Sequence, residues 1–202
     1  MVRRAPALSV DARILAIAAE QLRAKGARAV TVVGVAEAAG MTHANVYRYF
    51  PSKAALVDAV AAVWLRSLEA TIADIADAPD PADDKLERLI QALARLQRDL
   101  LSRDRHLFDV ICDATETSRA LIRRHRARLR QLFERVVDEG VATGKFDPRD
   151  RERALAFVTD AAFRFINPLA IRLDAETPRD LLDQRLAAVI RVMLRALANG
   201  SV

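Results

Sequence analysis

Residues 31–53, TVVGVAEAAGMTHANVYRYFPSK, have the spacing of a helix-turn-helix. Ala36 is small enough for a second helix to pack closely against it. Gly40, four residues later, supplies the positive φ that ends the first helix. The pattern therefore predicts two short helices that cross at a steep angle. Their apolar inner face is predicted to consist of Val35, Ala39, Met41, Val46 and either Tyr49 or Phe50.

The second helix of this pair, predicted from Thr42 to Tyr49, keeps an outer face of polar, planar and hydroxylated side chains. Such a helix fits the DNA major groove, and its first turn reaches the base edges. Thr42 caps the helix, and His43, Ala44 and Asn45 follow it. Asn45 suits an adenine edge and Ala44 a thymine methyl group. The alternative is an ordinary exposed helix turn.

The residues on either side of this helix suggest contacts with the DNA backbone. Ser52 is predicted to cap a long helix that reaches about Asp77. Lys53 lies in its first turn, where an ammonium group and free N–H groups together suit a phosphate. Arg48 is either a second phosphate contact or a solvated charge, and Thr31 is predicted to cap the first helix of the motif.

The run from Val32 to Leu56, above all its end YRYFPSKAAL, resembles the DNA-binding domain of the TetR-type (tetracycline-repressor-like) bacterial transcriptional regulators. The preceding segment ILAIAAEQLRAKGARAVTV is similar to the first helix of that family. The resemblance covers about the first third of the chain. It implies that the hydroxyls of Thr31 and Tyr47 face phosphates, and that Tyr49 either does the same or packs in the core.

The composition favours a helical protein with a substantial core. The chain has 202 residues, of which 52% are hydrophobic and 29% charged, and apolar residues recur at three- and four-residue intervals. The start of the chain, MVRRAPALSVDAR, lacks the apolar centre of a signal peptide, and no run of eighteen uninterrupted apolar residues predicts a membrane span. Cys112 has no partner for a disulfide. We therefore predict a cytoplasmic protein.

The excess positive charge lies in the part that carries the motif. Of the 32 basic and 27 acidic residues, nine and four fall within residues 1–66, which leaves 23 of each sign in the rest. Phosphate binding requires such a basic region. The three histidines are dispersed, and no metal-ligand spacing, phosphate loop or nucleophile motif occurs. We therefore predict a protein that is not an enzyme and needs no cofactor or metal.

The expected fold is all-α, with about nine helices in two domains. Residues 1–51 form a three-helix domain with the motif at about 31–50, and residues 52–202 form a larger bundle for ligand binding and dimerisation. The helix over 52–77 links the two domains. The remaining predicted helices begin at Ser9, after the break at residues 79–84, and near His106, Ser118, Asp150 and Pro178.

A homodimer is expected because a lone helix-turn-helix touches few base pairs, and two-fold pairing on a palindromic operator is the usual solution. The last two long helices are its predicted elements. The final one carries an apolar stripe wide enough to pack both inward and against a second copy. That stripe is Leu182, Leu186, Val189, Ile190, Met193 and Leu197.

The resemblance implies an effector site inside the second domain, with a small and largely apolar ligand. Any one of its candidate wall residues also suits plain core packing. The candidate walls and polar anchors are Trp64, Leu68, His106, Phe108, Cys112, His125, Phe133, Phe157, Phe163, Phe165 and Asn167.

The predicted function is ligand-responsive transcriptional repression. One alternative is a helical interaction or scaffold module, and another is a DNA-binding protein without an effector. The basic run from Arg123 to Arg130 is interpreted as a solvated face or a set of ion pairs at the dimer surface, because it lies on a helix whose inner face is apolar.

Overall fold

The computed structural model describes residues 9–117 and 119–202, and within them every regular element is an α-helix. The all-α prediction is confirmed. Residues 1–8, which belong to the segment considered as a signal peptide, lie outside the described residues. So does Ser118, the predicted start of the seventh helix. The helices are α1 (Val10–Lys25), α2 (Val32–Ala38), α3 (His43–Tyr49), α4 (Lys53–Ala76), α5 (Ala82–Arg103), α6 (Arg105–Glu116), α7 (Ala120–Ala142), α8 (Arg151–Ile166), α9 (Pro168–Leu173) and α10 (Arg179–Ala198).

Three of the four predicted N-caps form as expected. The hydroxyl oxygens of Thr31, Thr42 and Ser52 each accept a backbone N–H three residues further on. Ser9 precedes α1 but makes no such bond. Its hydroxyl instead bonds to Asp11, and this bond lowers the pKa of the Asp11 carboxyl. Ser9 is thus the N-cap residue of α1, as predicted, but its side chain does not make the capping bond.

The short helix α9 lies between the last two long helices and is not among the helices predicted from the sequence. Pro168 occupies the first turn of α9, where the missing N–H does no harm. The Asn167 side chain accepts the N–H of Leu169 at 2.9 Å and so begins this helix. If α8 and α9 are counted as one interrupted helix, the described chain has the nine helices of the prediction.

The stretch Arg151–Leu173 is the one described segment long and apolar enough, by length and composition alone, to cross a bilayer. Asn167 breaks this stretch at the start of α9. Within it, α8 packs against α5, α9 and α10, as a core helix does. Packing within the protomer thus accounts for the buried apolar residues of α8, which are Ala154, Leu155, Val158, Ala162 and Phe165.

Two hydrophobic clusters make up the core, and α4 takes part in both. The first joins the helix-turn-helix to the N-terminal half of α4 and to α6, and the second joins the C-terminal half of α4 to α5, α7, α8 and α10. Trp64 packs at the edge of both clusters. The chain turns at the expected boundary near residue 51, but the first cluster continues across it.

The final helix uses its predicted stripe for its own core. Leu182, Leu186, Ile190, Met193 and Leu197 are all at most 5% exposed within a single protomer, and Val189 is half-buried. The five buried side chains have no free surface for a second copy, so their assignment to a dimer interface is corrected. The apolar side chains on the outward face of α10 are Leu181, Ala188 and Val192.

Candidate nucleic-acid interface and internal cavity

Helix α3 presents nearly all of its side chains to the surface. Within α3, Val46 is the only buried residue. Tyr47 and Tyr49 are 47% and 42% exposed, whereas Phe50 is buried in the core. The open choice between Tyr49 and Phe50 for the inner face is thus resolved in favour of Phe50.

The first turn of α3 holds the residues expected to meet base edges. The Thr42 hydroxyl accepts the N–H of Asn45 at 3.3 Å, which fixes the start of the helix. His43 and Ala44 are exposed, while Asn45 is half-buried. Arg48 is exposed in the last turn. The arrangement offers amide, imidazole and methyl groups from one end of a short helix and phenols from the other.

The N-terminus of α4 lies beside the loop that precedes α2. The ammonium group of Lys53 donates to the backbone carbonyl of Arg28 at 2.7 Å. Because an ammonium group has three donors, two remain for a phosphate. Thr31, three residues after Arg28, is exposed and caps α2. Sequence reasoning did not single out Arg28, since no local pattern connects two residues 25 positions apart.

Polar side chains of α1 hold α2 in place. The amide of Gln21 donates to the carbonyl of Gly34 at 3.0 Å, and the guanidinium of Arg13 bonds to the carbonyl of Ala39. Ala39 ends α2, where carbonyls have no partner within the helix. These two contacts orient the helix that supports α3. Neither residue was singled out in the sequence.

A cavity of about 380 Å³ lies inside the second bundle (residues 52–202). It is lined by the six helices from α4 to α9. Its buried walls are apolar and include Leu65, Ile111 and Ile122. Its lining also has polar groups that are wholly or partly buried: Gln97, Thr115, His125, Thr159 and Asn167. The exposed lining residues are Arg126, Arg130 and Phe163, so the mouth lies between α7 and α8. An apolar cavity with a few polar groups is typical of a small-molecule site.

Only part of the predicted effector site lines this cavity. Phe133, Phe163 and Asn167 do so, and so does the suggested anchor His125. The other seven predicted residues do not line it, because their side chains pack elsewhere or face another surface; one of them, Phe165, is buried in the core. Leu68, Phe108 and Cys112 are buried in the core and Phe157 is half-buried there, while Trp64 and His106 lie nearer α1.

Trp64 and His106 connect the second bundle to α1. Trp64 lines a separate groove together with Leu15 and Ala19 of α1. Nδ1 of His106, in the first turn of α6, lies 3.0 Å from the carbonyl oxygen of Arg23. The link through α6 was not predicted, since the sequence argument assigned this connection to α4 alone.

An ion pair strengthens the same link. The carboxylate of Asp104 caps α6 at the N–H of Leu107 and also accepts from Nε of Arg23 at 3.2 Å. Asp104 is 9% exposed, so this contact is partly shielded from solvent. Helix α6 is therefore fixed to α1 at its N-terminal end, while its later residues Ile111 and Thr115 line the cavity.

Burial shifts the pKa values of two residues in this bundle, His125 and Cys112. It lowers the pKa of His125 below the usual 6.5, although Glu69, with Oε1 2.6 Å from Nδ1, opposes that shift. In the neutral ring that this shift favours, Nδ1 faces the Glu69 carboxylate and donates to it. Burial also raises the pKa of the Cys112 thiol to about 11. Cys112 is thus a protonated core thiol rather than a reactive one.

The basic run of α7 contains residues with different surroundings. Arg130 pairs with Glu152 and Glu134, both at 2.7 Å, which raises the pKa of its guanidinium. Arg128 bonds to Gln131. Arg126 lines the cavity mouth. The interpretation as a solvated, ion-paired face therefore fits Arg128 and Arg130, whereas Arg126 belongs to the cavity.

Two family models match the chain. Residues 14–60 match the model described as "Bacterial regulatory proteins, tetR family". Residues 82–190, more than half of the chain, match the model described as "Tetracyclin repressor-like, C-terminal domain". No protein of curated function matches this sequence.

Solved structures of the same fold cover nearly the whole chain. A tetR-family regulatory protein from Rhodococcus RHA1 is 25% identical, with a TM-score of 0.58 over 95% of this chain and 98% of that one. A TetR/AcrR-family regulator from Thermobifida fusca is 22% identical, with a TM-score of 0.66 over 91% and 96%. The regulator FadR from Bacillus subtilis, solved with stearoyl-CoA, is 16% identical, with a TM-score of 0.60 over 93% and 97%.

Proposed function

Since this chain belongs to the TetR family of bacterial transcriptional regulators, we propose that it is a cytoplasmic repressor that binds a palindromic operator as a homodimer. A small effector in the α4–α9 cavity releases it from DNA. The observation that carries the DNA-binding part is the exposure of α3, where only Val46 is buried. A short capped helix with a polar free face suits the major groove.

The residues on this surface divide into two groups by role. His43, Ala44 and Asn45 in the first turn of α3 read base edges. The backbone contacts come from Thr31, Thr42, Tyr47, Arg48, Tyr49 and Lys53, which are all exposed. Phosphate contacts set the register of the protein on DNA, whereas base contacts select the sequence.

Dimerisation uses the outward face of α10 together with α8, against which α10 packs. Leu181, Ala188 and Val192 lie at intervals of seven and four residues, which places them on one side of the helix. Val192 is 64% exposed in the single protomer. Two such faces bury each other in an isologous interface, as the symmetry of a palindrome requires.

The effector acts through α4 and α6, because both helices contact the cavity and the DNA-binding domain. Leu65 of α4 and Ile111 of α6 line the cavity. Lys53 and His106, at the other ends of these helices, contact Arg28 and Arg23. An effector that fits the cavity better in the non-DNA conformation lowers operator affinity by that difference. FadR, solved with stearoyl-CoA, supports a small-molecule effector for this fold.

The proposal is tested by selecting DNA from a random pool with the full-length protein at physiological salt. We expect enrichment of one two-fold symmetric sequence with half-sites one helical turn or a multiple apart. An interaction module enriches no sequence. A DNA-binding protein without an effector enriches a palindrome, but no ligand of the cavity then changes its affinity.

A further inference from the structure

Gln97 carries a buried acceptor that no protein group satisfies. Its side chain lines the cavity, and the residue is 2% exposed. Nε2 donates to the carbonyl of Ile166 at 3.3 Å, whereas Oε1 is buried without a hydrogen-bond partner. A buried acceptor left in this way is destabilising and uncommon. Oε1 is itself closed to a water-sized group in the unliganded protein, so a small rotation of the amide is needed to bring it to a hydroxyl or N–H group of a ligand.

His125 provides a second acceptor in the same cavity. Its Nδ1 is occupied by the Glu69 carboxylate at 2.6 Å, and the residue is 7% exposed. In the neutral ring that donates from Nδ1, the remaining nitrogen Nε2 is an acceptor. Gln97 and His125 therefore both present an acceptor that a hydrogen-bond donor on the ligand would satisfy.

The mouth of the cavity, in contrast, presents a hydrogen-bond donor with a positive charge. Arg126 lines it, is exposed and forms no ion pair with any Asp or Glu of the described chain. Its neighbour Arg130 is already paired with Glu134 and Glu152. Among the described residues, no Asp or Glu lines this cavity. The mouth thus favours an anionic group, which a guanidinium binds with a forked pair of hydrogen bonds.

From this polarity we infer that the effector is a hydroxylated organic acid, with a hydroxyl on Gln97 Oε1 at the buried end and a carboxylate at Arg126. This inference rests on the proposed function, in which the cavity is the effector site. The apolar body between the two ends contacts Leu65, Ile111 and Phe133. A volume of about 380 Å³ lies within the range of small-molecule pockets, about 300–1,000 Å³.

Three related compounds test the hydroxyl end and the carboxylate end of the inferred ligand separately. Calorimetry with the full-length protein compares 3-(4-hydroxyphenyl)propanoate, 3-phenylpropanoate and the methyl ester of the first. We expect loss of the hydroxyl to weaken binding by about threefold to tenfold, and loss of the charge by about tenfold. Equal binding of all three compounds, or binding of none, overturns the inference.

Variants then assign each preference to its residue. Gln97→Leu should abolish the preference for the hydroxyl and keep the preference for the charge, and Arg126→Gln should do the reverse. Gln91→Leu and Arg128→Gln, on the same two helices but away from the cavity, should keep both. If Gln97→Leu folds and still prefers the hydroxyl, Gln97 is not the acceptor.

The outcome is distinguishable from failure of the proposed function. If the hydroxy acid binds with these preferences but leaves operator affinity unchanged, the ligand class stands and effector control fails. If the protein selects a palindrome but none of the three compounds binds, operator recognition stands and the ligand class is wrong.

Discussion

The α3 surface is held by bonds between residues at most 26 positions apart, whereas the internal cavity is lined by six helices from α4 to α9. Thr42 fixes the start of α3 through a residue three positions away, and Val46 anchors it in the core. At the cavity, Gln97 bonds to Ile166, and His125 to Glu69, across 69 and 56 positions. The comparison indicates that the DNA surface is a local unit, whereas the cavity depends on how the whole bundle packs.

The largest expected effect concerns the bundle that encloses the cavity. Leu186→Asp should destabilise the protomer by about 3 kcal/mol or more, because it places an unpaired carboxylate in the core. Val192→Asp, on the outward face of the same helix, should change protomer stability by about 0.5 kcal/mol or less while separating the dimer. Chemical denaturation and light scattering measure the two effects.

The two α10 variants also test the reassignment of the dimer interface. A folded Leu186→Asp monomer with wild-type stability would show that the buried stripe, rather than the outward face, holds the copies together. A Val192→Asp protein that stays dimeric at micromolar concentration would remove the outward face from the interface.

A smaller effect is expected on the α3 surface, where single side chains act independently. Asn45→Ala should cost about 1–3 kcal/mol at one or two operator positions and little on random DNA. Lys53→Ala should weaken binding to all sequences nearly alike and lower the salt slope by about one unit. Fluorescence anisotropy over a salt series measures both. Equal losses on operator and random DNA for both variants would contradict the division of roles.

The smallest expected effect is the pH dependence of the cavity. Burial lowers the pKa of His125 in the folded protein, so the unfolded chain binds a proton more readily below about pH 6.5. Stability should therefore fall as pH falls through this window, and His125→Gln should reduce that fall. Denaturation at about pH 7.5 and about pH 5.5 tests the sign. If the wild type gained stability relative to His125→Gln on acidification, the predicted sign of the pH dependence would be wrong.

The same contrast explains which features could be predicted from the sequence. The three caps at Thr31, Thr42 and Ser52 and the turn at Gly40, whose φ is 63°, depend on neighbours within a few residues, and they were predicted correctly. Helix periodicity likewise located the long helices to within a few residues.

Features that depend on distant packing could not be obtained in this way. A three-four stripe on α10 does not say whether it faces the protomer or a second copy, and Leu186 proved to face the protomer. The aromatic candidates for the cavity include Phe108, which is fully buried elsewhere, whereas Gln97 was not considered. Its importance depends on an unsatisfied atom, which only the arrangement of neighbouring helices reveals.

The central claim is that occupancy of the cavity is transmitted to the DNA surface through α4 and α6. It is tested most directly by filling the cavity with Thr115→Phe, a buried α6 position on its wall, and measuring affinity for the selected operator. Thr117→Phe, exposed at the end of the same helix, is the control. We predict that Thr115→Phe lowers operator affinity by about tenfold and shifts the emission of Trp64, while the control does neither. A folded Thr115→Phe protein with wild-type operator affinity and wild-type Trp64 emission would contradict the account.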